Sequence, residues 1–147
     1  MKLLIYYSLT GNGDLVAGYL QNRGFQVRKV IEKKKMPKKL FPLMMSGGFR
    51  ASLNLKGKLI DYDNNVEGFD EIYIGSPIWN GRFPPAINSV LAETDLKGKK
   101  LTFILYSGSG DGPKAVKRIK KLYPKARIIR LQEPKKYQFE YDKIANI

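Results

Sequence analysis

Three times along the chain an almost wholly apolar run breaks off into a short loop of glycines, hydroxyls and amides, and each loop leads into a helical pattern. The runs are KLLIYY, EIYIG and KLTFILY; the loops are SLTGNGD (residues 8–14), SPIWNGR (76–82) and SGSGDGP (107–113). Runs that are apolar at nearly every position belong to strands covered on both faces. The first helical pattern, over 12–23, places Leu15, Val16, Tyr19 and Leu20 on one side, with Gly24 as its C-cap. The second is PPAINSVLAETDL, with Pro84 and Pro85 tolerated in its first turn. The third, over 113–123, turns Ala115, Val116, Ile119 and Leu122 inward and leaves its lysines and Arg118 on the outer face. FQVRKVI and ARIIRL supply two further strands, the first suited to a sheet edge. Strands alternating with helices in this way imply an α/β chain, a parallel sheet with helices on both faces joined by right-handed crossovers. Such sheets bind ligands beyond the carboxyl ends of their strands, where all three loops fall.

Two stretches are less legible. Residues 33–69 mix helix formers with Pro42, Gly47 and Gly48, which predicts one helix somewhere within 38–55. In the tail YQFEYDKIANI, Tyr137, Phe139 and Tyr141 recur at period two, compatible with a strand or with an irregular lead into a short helix.

At 147 residues and 43% hydrophobic, the chain has the means to build one core, so a single domain over 1–147 is expected. It has no Cys and no His, which removes disulfides, thiolate nucleophiles and the commonest metal ligand and general base. No metal site and no catalytic side chain are expected, and any redox chemistry must come from a bound cofactor. The N-terminal apolar run is too short for a signal sequence or a membrane span, which points to a cytoplasmic protein. The charge is unusual: 27 Lys and Arg against 13 Asp and Glu give +14. Much of it sits in Arg28–Lys39 and Lys114–Lys136, and a value this large speaks of partners and not of fold.

The first loop offers hydroxyls from Ser8 and Thr10, while Gly11 and Gly13 let successive N–H groups turn toward one point. A helix starting behind them favours an anion by roughly 0.3–1 kcal/mol, or about 2 kcal/mol when partly buried. A phosphate monoester held by neutral donors suits this loop; a plain turn with Thr10 or Asn12 as N-cap accounts for it equally well. Neither glycine-rich loop has the spacing of a P-loop. A dinucleotide fingerprint comes nearer, with Gly11, Gly13 and then Val16 in place of the third glycine, and Glu32 as the candidate ribose acid. In the second loop Trp79, the only tryptophan, could stack on a flat ring or simply cover the end of the core. The glycines of the third loop open backbone groups to a polar ring edge, or make an ordinary turn in which Asp111 and Pro113 start the next helix.

Together the three loops resemble the flavodoxin family, in which FMN is bound across the ends of a five-stranded parallel sheet, and the resemblance covers about residues 2–131. It implies a three-layer sandwich with strand order 2-1-3-4-5 and makes 131–147 an atypical tail. By the resemblance, Ser8, Thr10, Gly11, Asn12 and Gly13 in YYSLTGNGD would carry the FMN phosphate. IGSPIWNGRFPPAINSVL is similar to the G-x-P-I-W segment of one subgroup, so that Ser76, Pro77, Ile78, Trp79 and Asn80 would border the flavin. LYSGSGDG would bring Ser107, Gly108, Gly110 and Asp111 to its pyrimidine edge.

The chain departs from the family pattern in three ways. Gly13 stands where the family has Thr, which removes a hydroxyl donor, and Asp14 brings a negative charge near the same phosphate. The family is usually acidic, whereas this chain is basic; such a field would favour the anionic reduced form of a bound flavin. The C-terminus is short where the family has a full fifth helix, and if the tail does not cover the sheet beside strand five, an open apolar patch would favour a homodimer.

The leading expectation is an FMN-binding electron-transfer protein with an acidic redox partner steered by the lysine faces and no membrane association. The alternatives are an FMN-dependent NAD(P)H oxidoreductase acting on a small substrate, and a flavin-free binding module. A nucleic-acid partner is the weaker account of the lysines, since a solvated helix face explains them and no run of exposed aromatics offers base stacking.

Overall fold

The structure, a computed structural model, describes residues 1–33, 39 and 55–147. Five strands, β1 (Lys2–Tyr6), β2 (Gln26–Lys29), β3 (Glu71–Pro77), β4 (Lys100–Ser107) and β5 (Arg127–Gln132), form one sheet in the order β2-β1-β3-β4-β5. Every neighbouring pair is parallel, with Leu3 beside Ile72 and Ile72 beside Leu101 in the central register. The helices are α1 (Asn12–Gln21), α2 (Pro85–Glu93) and α3 (Pro113–Leu122), followed by a 3-10 helix over Gln138–Ile144. The helix expected within 38–55 lies almost wholly outside the described residues.

The two-residue period of the strands divides the core into two layers. From β1, Leu3 and Ile5 face α2 and α3 and pack with Phe103, Ile87 and Ile119, whereas Leu4 and Tyr6 face α1 and pack with Val16, Leu20 and Ile104. Leu3, Leu4 and Ile5 are fully buried, each burial stabilising the fold by about 1.5–3 kcal/mol before entropy is subtracted.

Three face assignments are corrected, two inward and one outward. Leu15 points to solvent, and α1 buries Gly13, Val16, Ala17 and Leu20. Leu122 is half exposed at the last residue of α3. Arg118 is not a solvated outer-face cation: it donates to the Asn88 Oδ1 and lies over the Phe83 ring, 5.8 Å from its centroid. The reason is the same for Leu15 and Leu122: periodicity locates a stripe, but the neighbouring elements decide which edge of it is covered.

The tail resolves as the 3-10 helix, and it does cover the α1 face of the sheet. Ile144 is fully buried with Leu4, Tyr6, Ile129 and Leu131, and Tyr141 packs on Tyr19 at 5.1 Å. Glu140, also buried, accepts the Gln132 N–H at 2.9 Å and the Lys143 ammonium at 2.7 Å. The open patch on which the homodimer expectation rested is therefore filled by the chain's own end. Among the described residues no helix is long and apolar enough to cross a membrane.

Candidate functional site

The carboxyl ends of β1, β3, β4 and β5 open onto a cleft of about 590 Å³. Its walls are Leu9, Thr10 and Asn12 from the first loop, Pro77, Ile78 and Trp79 from the second, and Tyr106, Ser107 and Gly108 from the third. A fourth wall, Glu133, Lys135 and Lys136, follows β5. A second hollow of about 470 Å³ shares Ile78, Ser107 and Gly108 with the cleft and continues past Asn80 and Asp111.

The first loop turns at Gly11, whose φ of 96° makes it the left-handed N-cap of α1. The N–H groups of Thr10, Gly11 and Asn12 have no hydrogen-bond acceptor among the described residues, as expected of a helix start left open. Two of the expected donors are instead turned inward. The Gly13 N–H donates to Ser8 Oγ at 3.1 Å, and the Ser8 hydroxyl also helps to hold the Asp14 carboxyl down. Neither Ser8 nor Gly13 lines the cleft.

Gly13 has a specific cause. A Cβ at this position would stand 2.3 Å from the Tyr106 Oη and 2.8 Å from Ser8 Cβ. Tyr106 is buried at the end of β4, and its hydroxyl donates to the Tyr7 carbonyl. The phenol thus fills the space beneath the first loop that a threonine at 13 would need. Burial pushes its pKa far up, so it stays a neutral donor.

Asp14 is turned away from the cleft. Its Oδ1 accepts from Lys29 Nζ at 2.7 Å and from the Tyr6 hydroxyl at 3.0 Å. Burial pushes the carboxyl up, but the Lys29 and Tyr6 hydrogen bonds and the Lys29 charge outweigh it and hold the group below its ordinary value. A carboxylate depressed on folding stabilises the fold above its unfolded pKa, and that contribution is lost as pH falls through the folded pKa. Asp14→Asn is therefore expected to flatten the acid limb of stability below about pH 4. Urea denaturation at stepped pH checks this; an unaltered limb would mean that the pair contributes nothing.

In the second loop, Trp79 and Arg82 exchange backbone hydrogen bonds of 2.9 and 3.0 Å across a tight turn. Asn80 and Gly81 at its centre have φ of 51° and 74°, as a two-residue hairpin turn demands. The turn folds Trp79 inward: it is 6% exposed and meets the Tyr7 ring edge-on at 5.9 Å. Trp79 is thus a core-covering residue that gives the cleft only a margin, not an open stacking face. Ser76 is fully buried on β3 with its hydroxyl donated to the Pro77 carbonyl, and it does not reach the cleft.

The third loop is closed on itself by Ser107, whose hydroxyl donates to the Asp111 carbonyl at 2.8 Å and accepts the Asp111 N–H at 3.1 Å. Ser107 and Gly108 line the cleft, while Asp111 and Asn80 line the adjoining hollow. Gly110 lines neither; its φ is 71° and its open side faces Gln132, 3.0 Å from where a Cβ would stand. Glu32, the candidate ribose acid, is committed elsewhere: it accepts the Ala86 N–H at 3.2 Å in the first turn of α2.

Leu9, Tyr106, Glu133, Lys135 and Lys136 are the cleft residues that sequence reasoning missed. Tyr106 had a readable signal, as the last apolar residue before the third glycine loop. Lys135 had none, because it follows the fifth strand and belongs to no periodic pattern.

The model of the flavodoxin family matches residues 49–137, more than half of the chain. The chain belongs to the flavodoxin family. The matched part carries the second and third loops of this flavodoxin relative and the Glu133–Lys136 wall; the first loop precedes it. Among solved structures, a protein from Bacteroides eggerthii provisionally named a flavoprotein superposes with a TM-score of 0.72 at 23% identity, over 99% of this chain and 98% of that one. A flavoprotein from Lactobacillus acidophilus, solved in complex with FMN, gives 0.62 at 18% identity, over 87% and 89%. An FMN-dependent NADH-azoreductase from Bacillus anthracis, also with FMN, gives 0.52 at 10% identity, over 98% and 96%. At these identities the likeness is one of fold. Comparison with curated protein sequences gives no match.

Proposed function

We propose that the chain is an FMN-binding electron-transfer protein that exchanges electrons with an acidic protein partner. The observation that carries the reading is the cleft: Thr10 and Asn12, two of three consecutive residues with unengaged amides at the start of α1, line a groove across the strand ends large enough for a flat aromatic group. The residues present fit FMN. Thr10, Gly11 and Asn12 would take the phosphate, Pro77, Ile78 and Trp79 would border the ring on one side, and Ser107 and Gly108 on the other. When bound, FMN supplies the redox chemistry, and no titratable side chain of the cleft is needed as acid or base. The chain's own residues hold the cofactor and shape its field.

The partner surface we infer is the groove beside the hollow, where Arg82, Phe83, Lys114, Lys117, Arg118 and Lys121 surround about 320 Å³. Arg82, Lys114, Lys117 and Lys121 form no salt bridge with another described residue, and the buried Arg82 Nε has no hydrogen-bond partner among them. Unpaired cations gathered beside a cofactor cleft favour encounter with an acidic surface.

Titration of the purified chain with FMN is expected to quench flavin fluorescence to a stoichiometric end point. The FMN-loaded protein is expected not to oxidise NADH or NADPH unaided. Unaided turnover would favour the second reading, an FMN-dependent oxidoreductase, which the likeness in fold to the azoreductase supports. Failure to take up FMN would leave a flavin-free binding module.

A further inference from the structure

We propose that Lys135 is the cation that holds the phosphate of FMN and makes the cleft select FMN over riboflavin. The inference rests on the FMN reading above and adds to it a residue from the far end of the chain. The first loop, residues 8–14, contains no basic side chain, and Ser8 and Gly13 are spent on each other. A phosphate monoester carries about −1.5 to −2 charges at neutral pH. A helix start is equivalent to only about +0.5, so the loop by itself leaves most of that charge unanswered.

The turn after β5 delivers the missing cation. Glu133, at φ 35°, accepts the N–H groups of Lys136 and Tyr137 and folds the segment back across the strand ends. The Lys135 N–H then donates to Asn12 Oδ1 at 2.9 Å, which fixes its backbone against the first turn of α1. Its ammonium lies 3.5 Å from the Thr10 carbonyl and 3.8 Å from where a side chain on Gly11 would begin. Lys135 therefore stands over the same three residues whose amides are open.

The ammonium is also available. Glu133 carries its own contact with Lys136 at 3.9 Å, and Lys135 makes no salt bridge with any described residue. A 3.5 Å contact to a neutral carbonyl is at the outer limit of a hydrogen bond and is readily exchanged for an anionic oxygen. The hydroxyl lost at Gly13 is thus answered by a charge brought from 122 positions further along the chain, the difference between 135 and 13. Riboflavin lacks the phosphate and would gain nothing from Lys135.

The test is equilibrium titration of the full chain with FMN and with riboflavin, followed by flavin fluorescence, for the natural sequence, Lys135→Met and Lys135→Arg. Lys135→Met is expected to weaken FMN about tenfold and to leave riboflavin unchanged, while Lys135→Arg stays within about threefold of the natural chain. Added NaCl should weaken FMN less steeply in the Met variant than in the natural chain. Because Asn12 is held by the backbone N–H, all three proteins should unfold at the same temperature. Equal FMN affinity in the natural chain and the Met variant, or equal loss for both flavins, overturns the inference and leaves the FMN reading intact. A natural chain that takes up neither flavin overturns the FMN reading, and this inference with it.

Discussion

Gly13→Thr, which would restore the family's hydroxyl, is expected to destabilise the fold by about 2–3 kcal/mol and to weaken FMN binding. The threonine Cβ would have to occupy a point 2.3 Å from the Tyr106 Oη and 2.8 Å from its Cζ. Tyr106 cannot step aside, because its ring is buried between the first loop and β4 and its hydroxyl is tied to the Tyr7 carbonyl. The two positions are therefore coupled, one small because the other is large. Tyr106→Leu alone is expected to leave a void and an unsatisfied Tyr7 carbonyl, whereas the double variant should cost well below the sum of the single ones. A double-mutant cycle by urea denaturation measures the coupling. Strictly additive costs would show that the contact is not what keeps residue 13 a glycine.

The second large effect is expected at the tail. A chain cut after Tyr137 loses the 3-10 helix, with Ile144 from the core and Glu140 from the Gln132 N–H. The loss should amount to about 3–5 kcal/mol, and Ile144→Ala alone to about 2–4 kcal/mol. The cut also uncovers Leu4, Tyr6, Ile129 and Leu131 on one face of the sheet, so the shortened chain should self-associate. Sedimentation of the cut chain checks this; a stable monomer would mean that the tail does not seal that face.

The parts of this molecule that could be read from sequence are those whose cause is local. KLLIYY and KLTFILY must be covered on two sides, and the glycine loops that end them can only be turns, so the sheet and the placing of three loops follow from pattern. The Asn80–Gly81 pair is equally local: a hairpin turn signal that explains why Trp79 folds inward and does not stand free. What escaped has its cause elsewhere in the chain. Gly13 reads as a missing hydroxyl until Tyr106, remote in sequence, is seen beneath it. Asp14 reads as a charge near an anion site until Lys29 and Tyr6 are found holding it. Lys135 reads as one more solvated lysine, because nothing in its neighbours shows that the chain returns to Asn12.

That return has a temporal consequence. The hydrogen bond from the Lys135 N–H to Asn12 spans 123 residues, and Ile144 packs on Leu4 and Tyr6 of the first strand. Contacts this distant in sequence form late, since the closure of a long loop must come before they gain anything. During synthesis the first loop emerges early and waits as a bare helix start, open on the side that Lys135 will later guard. The cleft is completed only when Glu133, Lys135 and Lys136 have docked after β5, so cofactor loading waits for that segment.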